Sequence, residues 1–124
     1  MIARLMDDHE RLRAIVGRLE AFLEASSPPV DMAFPRLRWE LIRELSVHSA
    51  VERMKLPGLS KTHAAVYHGL DTELDAAVSA HMIEWSVSSI QDGWHAYRAS
   101  ARALLARLLR RMRYEEQALF PLIA

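Results

Sequence analysis

The chain contains no cysteine, which excludes disulfides, thiolate metal sites and thiol catalysis; any metal here is held by nitrogen and oxygen ligands. Nor does it carry an excess of charge. Sixteen basic and sixteen acidic residues cancel, removing the overall field that favours nucleic acid or an anionic membrane surface, and neither is expected as a partner. No stretch approaches membrane-spanning length. The opening run Met-Ile-Ala-Arg-Leu-Met-Asp-Asp-His lacks an apolar core followed by a cleavage site, so a cytoplasmic location is the default expectation. Strands lack support too, since there is no alternating run and no Asn-Gly type turn. The length, 124 residues, fits a single domain over 1–124.

What is present is helical periodicity. A first segment runs from about residue 2 to 25, with Ile2, Leu5, Leu12, Val16, Leu19 and Leu23 on one side, and stops at Ser26-Ser27-Pro28-Pro29. A second runs from Phe34 or Pro35 to Leu56, closed by Pro57-Gly58. Residues 59–70 read either as a short helix or as the opening of the next. Asp71-Thr72-Glu73 reads as the first turn of a third helix carrying Leu74, Val78, Trp85 and Ile90. The fourth runs from near Asp92 to Phe120, where Pro121 is expected to end it. Four amphipathic helices with short links predict an all-α, up-down-up-down four-helix bundle.

Within these stripes some polar residues face inward. His48 and Glu52, four residues apart, share a helix face with Leu45, Leu41, Leu37 and Phe34. A buried carboxylate needs a partner: a cation, an arginine, a lysine, a proton or a metal ion. His9 lies in line with Leu5, Leu12 and Val16, His81 near Leu74, Ala77 and Trp85, and Glu115 with Leu104, Leu108 and Leu119. Each of these, taken singly, also has an ordinary structural reading: a hydrogen-bonded core histidine, or for Glu115-Glu116 a solvated face. Jointly, one inward polar group per helix describes a layer. His63, His68 and His95 fit no such pattern and are assigned to loop or surface. Trp39, Trp85, Trp94 and the six methionines read as core or interhelix filling.

The sequence resembles the hemerythrin-like, or HHE cation-binding, domains along nearly its full length. The resemblance rests on Asp8-His9-Glu10-Arg11-Leu12, on His48-x-x-x-Glu52 followed by Leu56-Pro57-Gly58-Leu59, on His81, and on Glu115-Glu116-Gln117-Ala118-Leu119-Phe120-Pro121. It implies a four-helix bundle around a non-haem di-iron centre, with His9 and His48 on one iron, His81 on the other, and Glu52 and Glu115 bridging. Two departures follow from the same resemblance. The second helix-three histidine expected four residues from His81 is missing, Ala77 and Trp85 standing there, and the histidine expected four residues before Glu115 is Arg111. Arginine stays protonated and does not ligate.

The expectation is therefore a half-retained site: a mononuclear metal, iron by family, in preference to a di-iron pair, with Arg111 supplying the second positive charge beside the carboxylates. The function that follows is sensing, storing or carrying iron or a small ligand such as dioxygen. The alternative is a metal-free bundle acting as a protein-interaction module. A redox enzyme ranks last, since no nucleophile-base-acid arrangement is visible. Helix four carries a basic stripe, Arg98, Arg102, Arg107, Arg110, Arg111 and Arg113, read as a solvated face or a dock for an acidic partner.

Overall fold

In the computed structural model, which describes residues 2–54 and 58–123, the chain is helical throughout with no strand among the described residues. Helix α1 spans Ile2–Leu23, α2 Ala33–Arg53 and α3 Lys61–Glu84. A short α4, Val87–Asp92, leads into α5, Trp94–Tyr114; a π-turn at Glu115–Leu119 and a last turn α6, Phe120–Ile123, complete the order.

Three helix boundaries differ from expectation, each for a local reason. Helix three begins at Lys61, ten residues before Asp71, because Ser60 caps it: its backbone is extended and its Oγ accepts from the His63 N–H at 3.2 Å. Gly69 lies inside that helix, where it weakens but does not break the ladder. The same helix stops at Glu84, and Ser86 starts a new one through a capping box with Ser89, so Ile90 belongs to α4. Pro121 does not end the chain's helical path. In the π-turn the Phe120 N–H donates to the Glu115 carbonyl, an i→i−5 bond, so the regular ladder is already interrupted where proline lacks its donor. The expected close of helix two at Leu56-Pro57 lies outside the described residues.

Cross-helix contacts fix the topology as up-down-up-down. Early α1 meets late α2 through His9 and His48, and late α1 meets early α2 through Phe22 and Phe34. Tyr67 of early α3 reaches Glu52, while Arg38 of early α2 donates to the Trp85 carbonyl at 3.0 Å. On α5, Tyr97 packs on Trp85 and Arg111 stands over Tyr67. Arg98 and Arg102 both donate to the Leu23 carbonyl, capping α1, so part of the basic stripe is spent inside the fold.

Two apolar clusters result. The larger runs from Leu12 and Met112 down to Phe34, Trp94 and Tyr97; the smaller holds Leu5, Tyr67, Leu119 and Phe120. Between Leu5 and Leu12 on α1, and between Met112 on α5 and Leu119 in the π-turn, lies a layer of buried polar residues. Of the tryptophans Trp94 is buried, Trp85 half-buried and packed on the core, and Trp39 exposed, which corrects its reading as filler; Met32 and Met54 are exposed likewise. His63, His68 and His95 are exposed. No helix among the described residues is long and apolar enough to cross a membrane.

Candidate metal centre

The polar layer is built from three helices and the π-turn. His9 (α1) and His48 and Glu52 (α2) are inward because each occupies a core-facing step of an apolar stripe. Glu115 opens the π-turn, a departure from regular helix of a kind that recurs at functional sites. The turn presents Glu115 and Glu116 to the two nitrogens of one imidazole. Glu115 Oε1 lies 2.9 Å from His9 Nε2, and Glu116 Oε2 lies 2.6 Å from His9 Nδ1.

Four ligand atoms converge. The Nε2 atoms of His9 and His48 are 3.0 Å apart, His48 Nε2 is 2.5 Å from Glu52 Oε1, and Glu115 Oε1 is 3.4 Å from His48 Nε2. One ligand atom from each of His9, His48, Glu52 and Glu115 falls within 4.8 Å of the other three, and all four residues are buried. A tetrahedral ion with bonds of about 2.0–2.1 Å has ligand–ligand edges of about 3.3 Å, so the donor set is near the size it needs.

The outer side of every donor is held. His9 Nδ1 faces Glu116, itself 2.7 Å from Arg13; His48 Nδ1 is 3.2 Å from Asp8 Oδ2; Tyr67 donates to Glu52 Oε2; Arg111 Nε donates to Glu115 Oε2 at 2.8 Å. Carboxylates only accept, so each Nδ1 carries a hydrogen. With both imidazoles neutral, the Nε2 lone pairs point at each other and at two carboxylate oxygens. Four lone pairs aimed at one dry point repel unless a positive charge sits among them, and carboxylate-backed histidines are the usual outer shell of a metal ligand.

Electrostatics agree. Burial lowers the pKa of His48, but bonds to Glu115 and Glu52 overcome it and push it up to about 10. Burial raises that of Glu115, yet bonds from His48, His9 and Arg111 hold it down at about 2. Glu52 shifts upward, through burial and, secondarily, the neighbouring Glu115 charge, against the pull of His48. The layer thus gathers positive charge on His48 when a proton is all that is available.

A family model for the hemerythrin HHE cation-binding domain matches residues 1–123. The chain belongs to that family. Neither a curated protein nor a solved structure matches it. Membership in the hemerythrin HHE family and the four-donor cluster agree on one point: this is a domain suited to binding a metal ion.

Of the five residues read from the sequence, the structure brings together His9, His48, Glu52 and Glu115 and places His81 elsewhere. Helix register accounts for the separate position of His81. Because α3 begins at Lys61 and runs antiparallel to α2, the residues level with Glu52 are Tyr67 and Asp71, themselves four apart. His81 instead sits against Tyr97, with Nδ1 3.4 Å from Ser100 Oγ. Ser100 precedes Glu115 by 15 residues, about 22 Å of helix. Burial, and secondarily Arg38, lowers the His81 pKa to about 4. At that value it stays neutral, and it stands apart from the four converging donors.

Asp8, Tyr67, Asp71 and Glu116 were not singled out from the sequence as parts of the site. Asp8 and Glu116 adjoin the candidate donors His9 and Glu115, but neighbours on a helix point about 100° apart, which hides a shared role. The signal for Tyr67 and Asp71 was Ser60: a helix started there places both on the inner face.

Proposed function

We propose that this hemerythrin HHE domain holds a single non-haem metal ion, iron by family, between His9, His48, Glu52 and Glu115, and that it senses, stores or carries iron or a small ligand such as dioxygen. The observation that supports this reading is the convergence of four lone pairs whose outer sides are each occupied by another side chain. Single occupancy follows from what stands where the second ion's ligands belong. Tyr67 and Asp71 take the helix-three positions, and the Arg111 guanidinium lies 4.8 Å from the Tyr67 ring centroid while bonded to Glu115. Arg111 brings one fixed positive charge to that side and ligates nothing. Near Arg111 and Arg53, Asp71 is nonetheless shifted upward, first by burial and then by Asp75.

When bound, the ion supplies Lewis acidity and, if iron, a one-electron couple. The chain's own residues orient it: Glu116 and Asp8 fix the imidazole tautomers, and Tyr67 and Arg111 each hold one oxygen of a glutamate, leaving the other for the ion. Leu5, Leu119 and Phe120 on one side and Leu12 and Met112 on the other exclude water.

A second reading, a metal-free bundle used for protein interaction, is favoured by one observation. A proton on His48, with Arg111, neutralises Glu52 and Glu115 without any ion. Metal content per chain after expression in iron-supplemented cells, read with the visible spectrum, separates the two. One ion per chain supports the half-site; two ions with an oxo-bridge charge-transfer band contradict it; none, with a melting temperature indifferent to added iron, leaves the metal-free bundle.

A further inference from the structure

Arg111 has donors that the cation site leaves unused. Its Nε bonds to Glu115, yet Nη1 and Nη2 are shut off from solvent and meet no acceptor among the described residues. The side chain is only 9% exposed. Buried donors without an acceptor are rare because desolvating them is costly, and a charged group makes the deficit larger.

The same side chain lines a cleft of about 380 Å³ between α3 and α5. Arg107, Arg110 and Arg111 follow one another at helical steps of three and one, and all three line it. The one acid in its wall, Glu73, pairs with Arg107 at 3.1 Å through a largely exposed side chain, a weak and screened contact. Arg110 makes no ion pair among the described residues. Glu73 on Arg107 and Glu115 on Arg111 offset two of the three guanidinium groups, leaving about one net positive charge; with Arg110 unpaired among the described residues and the Arg111 Nη donors without acceptors, the lining offers several N–H donors at once, which suits an oxyanion with several acceptor oxygens better than a single carboxylate. Leu70, Leu74 and Tyr114 add apolar wall beside the charges.

We propose that this cleft binds an oxyanion of the phosphate class, free phosphate or a phosphomonoester, with Arg107 and Arg110 at its mouth and the free Nη nitrogens of Arg111 as the inner donors. In the ligand-free conformation those nitrogens are closed off, and binding turns them toward the cleft by rotation about the outer torsions of Arg111. An anion that contacts only the turned rotamer selects it. Because Arg111 also holds Glu115, occupancy of the cleft is linked to the charge beside the cation site.

The test uses the metal-free chain at low ionic strength, so its outcome is independent of the metal reading. Inorganic phosphate and phenyl phosphate are titrated separately while backbone amide shifts are followed by NMR. The expected result is saturable shifts centred on Arg107, Arg110, Arg111 and Tyr114. Arg107→Gln and Arg110→Gln, both outside the cation layer, each weaken binding about tenfold with unchanged circular dichroism. Tighter binding of phenyl phosphate assigns the apolar wall to an ester's body; equal binding assigns the cleft to free phosphate. Shifts that fail to saturate, or that survive in the Arg107→Gln/Arg110→Gln double variant, overturn the proposal.

Discussion

His48 and His81 are both inward-facing histidines on neighbouring helices, and their surroundings drive them in opposite directions. Around His48 stand Asp8, Glu52 and Glu115, and its pKa rises to about 10 despite burial. Around His81 stand Tyr97, Ser100 and, nearby, Arg38; burial dominates and its pKa falls to about 4. What distinguishes the clustered histidine from the core histidine here is the sign of the charge around it. Carboxylates beside an imidazole favour its protonated form; burial, with an arginine nearby, disfavours it.

The largest expected effect tests the charge balance of the upper layer. Arg111→Ala removes the partner of buried Glu115 and should destabilise the metal-free chain by about 3–5 kcal/mol in urea unfolding, as broken buried pairs do. A change near zero would mean that the histidines alone balance the glutamates. Next, iron at one hundred times its dissociation constant should stabilise the wild type by about 2.7 kcal/mol. His48→Ala should abolish that gain and His81→Ala should keep it. If both variants lose it equally, the contrast between the two histidines is gone.

The lower region answers to pH. The folded-state pKa of His81 is depressed, so between about 6.5 and about 4 the unfolded chain binds the extra proton and stability is lost as pH falls. The slope from this one group is at most about 1.4 kcal/mol per pH unit, and above pH 6.5 it contributes nothing. Comparing wild type with His81→Phe across pH 4–7 isolates the slope; identical profiles would show that His81 titrates normally. Smallest, Tyr67→Phe deletes the hydroxyl that donates to Glu52 Oε2 and should cost about 1–1.5 kcal/mol. Iron binding should survive it, since the oxygen facing the histidines is the other one.

Legibility from sequence followed helix periodicity and failed where a position depended on its neighbours. His9, His48, Glu52 and Glu115 were readable because each interrupts an apolar stripe, and a stripe is a local property of 3.6-residue periodicity. His81 interrupts a stripe just as clearly. Its separate position depends on the axial level of α3 against α2, which is set by where the third helix begins: Asp71-Thr72-Glu73 reads as a first turn, whereas the helix starts at Lys61 under the Ser60 cap. Arg111 sits about 90° from the stripe's centre, where the angle alone does not decide between core and solvent. Its burial came from packing on the Tyr67 ring and pairing with Glu115.

The sequence by itself determined the helices, their apolar faces, the absence of thiol chemistry and four of the polar residues aimed inward, because these are local: spacing along one helix sets which side chains share a face. Only the tertiary structure decided which of those residues meet. Antiparallel register set Tyr67, rather than His81, opposite Glu52, and the π-turn turned Glu115 and Glu116 onto one imidazole. Convergence within a few ångströms is a relation between helices, fixed by how their core faces interlock, and no single helix encodes it.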